Sequence, residues 1–389
     1  MSFTFTLSDV QFLRAASENI AEFDSVLELT AESQLRDLGA ARRRFGSHAA
    51  AVVETAVLRR RAVVKFGDRA GRWLFTDEAL QQATPWPVAV HRARRLAGVG
   101  VHDVTCSIGA DLAALTAGSV VLGSDLDPVR VAMAQHNIGD RVLIADALRP
   151  VSSGLLPYAD PARRDGGGRR ILSASTLPSL ADLDAAWSHR LPVLRVPPGI
   201  DYDVLARPGE VEVVSLDGSA REAVLWPPEL ADVRRRATVL TGDQVRYQLA
   251  DTDPDEIPIG SAGRYLVDPD PAVVRAHLVR HFGYRHGLWQ LDPQLAYLTG
   301  DNAPPVGRAF EILEAAPFSE KTVAGWLRAA EVGTLEIKVR GLPVVPDDLR
   351  LRLRKAMTGP RSNDRTLVLA RVGRGSMAYL TKARTAPPQ

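Results

Sequence analysis

Hydrophobic and polar positions change period twice along the chain. From residue 1 to about 80 the apolar residues recur at helical spacing: Phe12, Leu13 and Ala16 follow a Ser8-Asp9 start, and Leu27, Leu29 and Leu35 continue the series, which predicts helices. Between 101 and 164 short apolar runs at 101–106, 119–124 and 142–145 alternate with helical patterns at 112–117 and 129–137. Strands alternating with short helices predict a parallel α/β sheet. Thr84-Pro85 reads as a helix start running to about 96, with Thr84 as N-cap. A helix is expected at 182–187 and strands at 192–196, 210–216 and 222–226, the last two joined by the hairpin signal Asp217-Gly218. The pattern loosens over 227–263, where 251–258 is acidic and proline-bearing. A helix is expected over 271–282. The remainder reads as a small α+β unit: helix 318–330, strand 334–339, helix 346–355, and a hairpin of 365–372 with 376–381 around Gly373-Arg374-Gly375. The tail at 385–389 reads as disordered.

In open α/β sheets ligands bind beyond the carboxyl ends of the strands, so the loops after the first runs carry the candidate chemistry. Small residues at Ser107, Gly109 and Ala110 let backbone N–H groups approach a ligand, and a helix N-terminus points at it. Asp125 ends the second run, where a carboxylate accepts from both hydroxyls of a ribose. Asp146 ends the third, where it accepts from an adenine amine. An acid about 20 residues past a glycine loop also fits a dinucleotide site, but the loop lacks G-x-G-x-x-G, which counts against NAD. The bland alternative is an α/β domain whose acids cap helices.

The residues that carry a resemblance are the segment from Asp103 through Cys106, Ser107, Gly109 and Asp111, and the acidic turn Asp125-Leu126-Asp127-Pro128 running to Asn137. Together they resemble a class I S-adenosylmethionine-dependent methyltransferase. The nearest likeness is to the cap-guanine-N2, or trimethylguanosine-synthase-like, branch and to bacterial proteins that join such a domain to a THUMP-like C-terminus. The resemblance covers about 82–226 for the catalytic domain and, more loosely, the whole chain. It implies an α/β, Rossmann-like seven-stranded methyltransferase sheet with an N-terminal helical domain and a small C-terminal α+β domain. The domains are then expected at 1–82, 83–230 and 271–389, with a linker or excursion at 231–270. It implies S-adenosyl-L-methionine as cofactor. Asp103, Ser107 and Gly109 would surround its methionine end, Asp125 its ribose and Asp146 its adenine amine, with Asp111 and Asp127 completing the two acidic segments. Ala83-Thr84-Pro85 followed by His91 resembles the segment that closes over the cofactor, although Trp86 stands where the family has an acid. Thr105 and Ser107 replace frequent glycines, and a side chain at Ser107 is expected to crowd the ligand.

Family members acting on exocyclic amines place Asn, Asp or Ser, then Pro-Pro, then an aromatic after the fourth strand. Here Asp160 and Pro161 match, Ala162 replaces the second proline and Arg163 the aromatic. The resemblance assigns catalysis to Asp160, Pro161 and Arg163, the carboxylate and a backbone carbonyl accepting from the amine. A guanidinium can also stack on a base and pair with phosphate. The alternative is that Asp160-Pro161 merely starts a turn.

Composition narrows the classes. At 389 residues the chain has room for two or three domains. A net charge of +2 gives no global basic field, and the single Cys106 excludes an internal disulfide or a cysteine zinc cluster. Lys65, Lys321, Lys338, Lys355 and Lys382 are the only lysines among 48 basic residues; such arginine enrichment suits phosphate recognition or reflects a GC-rich genome. The triplets Arg42-Arg43-Arg44 and Arg59-Arg60-Arg61, with Lys65-Phe66 and Arg72-Trp73, read either as a nucleic-acid surface or as a solvated helix face over core aromatics. The basic loop at 165–170 suits a substrate phosphate or plain flexibility. His277 and His281 stand four apart in the expected helix, where two metal ligands could sit, but no third ligand is evident and no metal is expected. No signal peptide and no apolar run of about 18 residues is seen, so a cytoplasmic protein without a membrane contact is expected. The C-terminal unit, with Lys338, Arg340, Arg350, Arg352, Arg354, Lys355 and Arg361, suits RNA or a docking role.

The expected function is methyl transfer to a nucleobase amine of RNA. The alternatives are a methyltransferase-like RNA-binding or assembly protein with little or no turnover, favoured by the altered motif and Ser107, and a methyltransferase for a protein or small molecule.

Overall fold

A computed structural model describes residues 3–163, 176–202 and 206–384 of the chain. Two compact units emerge: Met1–Glu210 with Arg221–Ala231 and Leu240–Gln244, and Val211–Ala220 with Asp232–Val239 and Val245–Gln389.

The first unit opens with six helices: α1 (Leu7–Ala15), α2 (Ser17–Asp24), α3 (Gln34–Phe45), α4 (Ala49–Phe66), α5 (Asp77–Gln82) and α6 (Trp86–Arg95). The first begins earlier than expected, because Thr6 rather than Ser8 is the cap and exchanges hydrogen bonds with Asp9 in a capping box. Pro85, not Thr84, caps α6. Phe23, Phe45, Phe66, Trp73 and Phe75 form one core with Ile108 and Met133 of the following segment. Of the two readings of this stretch, the structure has the solvated helix face over core aromatics: Arg42, Arg43, Arg44, Arg60, Arg61 and Arg72 are exposed. Phe66 and Trp73 are buried. The buried Arg59 donates to the Trp73 carbonyl at 3.0 Å, Arg60 donates to the Leu27 and Glu28 carbonyls, and Arg61 pairs with Asp77 at 2.7 Å.

The sheet of this unit is built from β1 (Val101–Asp103), β2 (Val121–Asp125), β3 (Val142–Ile144), β4 (Leu156–Ala159), β7 (Val193–Val196) and β9 (Ser219–Trp226), between which lie α7 (Ala110–Leu115), α8 (Pro128–Ile138) and α9 (Leu180–Ala186). A separate antiparallel pair joins β5 (Ala162–Arg163) to β6 (Thr176–Leu177). Strand order is β9-β7-β4-β1-β2-β3, parallel except for β9 against β7. With β8 (Glu210–Leu216), the other arm of the hairpin turned at Asp217 and Gly218, the seven expected strands are present. Near-continuous apolar runs suit a parallel sheet buried on both faces, and Val101, Val121, Leu156, Val193 and Trp226 form its core.

In the second unit, to which β8 belongs from Val211 on, β10 (Arg235–Thr241) and β11 (Gln244–Ala250) give the order β11-β10-β8. They occupy the stretch where the sequence pattern loosens. Next come β12 (Tyr265–Asp268), α10 (Pro271–Arg275), α11 (Val279–Arg285), β13 (Trp289–Gln290), β14 (Leu298–Gly300), β15 (Arg308–Pro317), α12 (Glu320–Ala329), β16 (Thr334–Arg340), α13 (Pro346–Leu353), β17 (Asp364–Val372) and β18 (Gly375–Ala383). The seven-stranded order is β13-β14-β12-β15-β18-β17-β16. Leu327, Leu349 and Leu353 of α12 and α13 pack on Leu367, Leu369 and Leu380. The single helix expected over 271–282 is two: His277 sits between them at φ 60°, so it shares no helical face with His281. Among the described residues no group of three metal-ligating side chains occurs, and no helix is long and apolar enough to cross a membrane.

Candidate functional site

The site grows from the carboxyl ends of β1, β2, β3 and β4. After β1 the chain turns tightly: the Cys106 amide donates to the Ser124 carbonyl at 2.9 Å, and the Gly109 amide to the Cys106 carbonyl at 2.8 Å. Ser107 and Gly109 both take the left-handed region, at φ 49° and 81°, the first at a cost that a glycine would not carry. A Cβ on Gly109 would stand 3.1 Å from Ile138 Cδ1. The turn presents the Ser107 amide to Asp125 Oδ2 at 3.0 Å, while the Asp127 amide donates to Asp125 Oδ1 at 2.9 Å. Asp125 is thus fixed facing the loop. Asp146 receives the Leu148 amide at 2.9 Å.

A cavity of about 680 Å³ opens between these loops. Thr84, Asp103, Ser107, Asp111, Asp125, Asp146 and Asp160 line it, with Leu126, Ala147 and Leu148 on an apolar side. Three other expected residues stand outside the wall. Asp127 caps α8, its Oδ1 accepting from the Val129 and Arg130 amides. Gly109 caps α7, and Pro161 is buried behind the tip of β4. The Arg163 side chain, Arg164 and the glycine loop at 165–170 fall outside the described residues.

Behind the wall lies a buried charge network absent from the sequence expectations. Arg92, on α6 and 1% exposed, places Nη2 2.6 Å from Asp111 Oδ1 and Nη1 2.6 Å from both oxygens of Glu222 on β9. Tyr158 donates to Asp111 Oδ2 at 2.9 Å. Arg195, on β7, pairs through Nη1 with Asp160 and through Nε with Glu222 at 3.2 Å. Burial opposes the Asp111 charge, but Arg92 and Arg195 outweigh it and hold the carboxyl below its ordinary range. Asp103 has no such partner: burial, reinforced by Asp111, pushes it well above. Asp160 is also raised, by burial and Asp111, with Arg195 opposing. Burial raises the Cys106 thiol and so disfavours its thiolate.

An uncharacterized S-adenosylmethionine-dependent methyltransferase of Mycobacterium tuberculosis, from either of two strains, is 48% identical over 356 residues, covering 87% of this chain and 98% of that protein. The chain belongs to the S-adenosylmethionine-dependent methyltransferases. This methyltransferase is also similar, at TM-score 0.71 and 21% identity, to the crystal structure of a methyltransferase candidate from Porphyromonas gingivalis, with 99% of this chain and 100% of that one covered. The fold is shared at that distance. Residues 307–383 match the THUMP domain-like family.

The cavity of the methyltransferase fits its cofactor. Its size lies inside the range of small-molecule pockets, about 300–1,000 Å³. Six aspartates line it beside two arginines, Arg130 and Arg195, a balance that favours a ligand carrying sulfonium and ammonium charge. Leu126, Ala147 and Leu148 offer an apolar surface to a base. Bound there, S-adenosylmethionine supplies a methyl group on an electrophilic sulfur.

Proposed function

We propose that the methyl acceptor is an exocyclic amine of an RNA base. The observation that carries this reading is Asp160, which follows β4 and shares one cavity wall with Asp103 and Asp125. A carboxylate at that place accepts an N–H from the amine and turns its lone pair toward the cavity, while alignment supplies most of the remaining barrier lowering. In this reading Asp125 receives the ribose hydroxyls, Asp146 the adenine amine, and Asp103 with the Ser107 loop faces the methionine end. Thr84 closes the rim. The RNA assignment is further supported by the THUMP domain-like match and by Arg354, Lys355 and Arg361 in the same unit.

The test is transfer of a tritiated methyl group into RNA from a strain lacking the protein, with Asp160→Ala beside the wild type. Label is expected with the wild type and about 100-fold less with the variant. Equal labelling by the two overturns the role of Asp160. Labelling of protein or small amines alone overturns RNA. One observation favours the second reading, an RNA-binding protein with little turnover: the Asp160 carboxylate is already paired with Arg195. Calorimetry separates the two, since an assembly factor would leave S-adenosylmethionine unbound.

A further inference from the structure

We infer that Asp160 and Arg195 form one acceptor–donor pair that reads the substrate, and that the group it reads is an amine N–H adjoining an unprotonated ring nitrogen, as on the pairing edge of adenine or cytosine. The inference rests on the proposed role of Asp160.

Sheet register creates the pair. Tyr158 and Ala159 of β4 align with Val193 and Leu194 of β7, so the next positions, Asp160 and Arg195, stand side by side at the strand ends. Arg195 is held from behind by Glu222 on β9, which also takes two hydrogen bonds from Arg92. The guanidinium therefore cannot swing freely. Its Nη2 reaches the Gln82 carbonyl at 3.5 Å, the limit of a hydrogen bond, and retains donor capacity among the five N–H groups of an arginine. Both side chains line the cavity, Arg195 15% and Asp160 34% exposed.

The chemistry follows from this order of groups. With Oδ2 bound to Arg195, Asp160 offers its other oxygen to an incoming N–H, and Arg195 offers N–H to an acceptor beside it. Cytosine and adenine present donor then acceptor in one plane. Uracil presents the reverse, carbonyl then N–H, and sets like against like. An aliphatic amine has no acceptor for Arg195 to meet. A clamped, planar fork selects shape and polarity together.

The test is binding of short oligo(C), oligo(A) and oligo(U) to full-length protein saturated with S-adenosylhomocysteine, read by fluorescence anisotropy. The wild type is expected to hold oligo(C) or oligo(A) about ten-fold or more tighter than oligo(U), the discrimination of one good two-point base contact. Arg195→Met is expected to abolish the preference, the three oligomers then binding within about two-fold of one another. Because that variant leaves Glu222 with Arg92 alone, Arg195→Lys, which keeps charge but loses the planar fork, is measured beside it and is expected to lose most of the preference. Equal binding of the three oligomers, binding of none, or a preference surviving in both variants overturns the inference. Methyl transfer to the preferred oligomer is scored separately: preference without transfer sinks the proposed reaction and leaves the pair standing, whereas transfer without preference does the opposite.

Discussion

Two neighbouring backbone positions in the β1–α7 turn behave oppositely. Gly109 at φ 81° has Ile138 3.1 Å from where a methyl would sit, so Gly109→Ala is expected to cost about 1–2 kcal/mol in urea unfolding. Ser107 at φ 49° carries a side chain in the same region, and Ser107→Gly is expected to be neutral or to gain up to about 1 kcal/mol; a clear loss would show that the Ser107 side chain has a structural partner. Asp103 makes a second prediction. In the free protein burial, with Asp111 beside it, favours its neutral form. A cation entering the cavity favours the carboxylate, so binding releases a proton, and S-adenosylmethionine affinity rises with pH up to the raised pKa and is flat above it. Calorimetry in two buffers of different ionisation enthalpy reads the release, and Asp103→Asn should remove it. The acids at Asp125 and Asp146 are legible from sequence because each ends an apolar run, whereas Asp103 lies inside the run 101–106 and is pointed to by the family resemblance alone. Arg195 is not: it lies between Leu194 and Val196 and reads as an ordinary outward position of a strand. Arg92 and Glu222 lie 130 residues apart, and no local pattern joins them.

Between elements, the tie that matters for the cavity rim runs from α4 to the end of α5. Lys65 Nζ donates to the carbonyls of Leu80, Gln81 and Ala83 at 2.7, 2.8 and 2.8 Å, meeting the exposed carbonyls of a helix C-terminus. Burial, with Arg195 and Arg221 nearby, brings its pKa down to about 8. Lys65→Met leaves those carbonyls unmet beside Thr84 and is expected to cost about 1–2 kcal/mol and to weaken S-adenosylmethionine binding several-fold, read by thermal unfolding and calorimetry; unchanged affinity would detach the helices from the site. Elements with one clear period, such as β1, β2, α8 and α12, could be seen in the sequence. Those carrying charge against their period could not: β10 opens with Arg235 and Arg236, β11 bears Arg246, and β15 mixes Arg308, Glu311 and Glu314 into its alternation. The break at His277 is equally silent, because the left-handed residue there is not a glycine.

For the molecule as a whole, each unit has its own buried core, one centred on Val101, Leu156 and Trp226 and another on Val323, Leu327 and Leu367. The cavity belongs entirely to the first. Saturation with S-adenosylmethionine at about 100 times its Kd adds about 2.7 kcal/mol to whatever unfolds with that cavity. Hydrogen exchange is expected to slow in β1, β2 and β4 and to stay unchanged in β17 and β18; equal slowing in both sets would mean the two units open together. The net charge of +2 conceals a wall with six aspartates. Once the methyl group leaves, the sulfur is a neutral thioether, and those carboxylates lose the charge they were facing. The spent cofactor is therefore expected to be held less tightly than the fresh one, a difference that calorimetry with the two ligands reads.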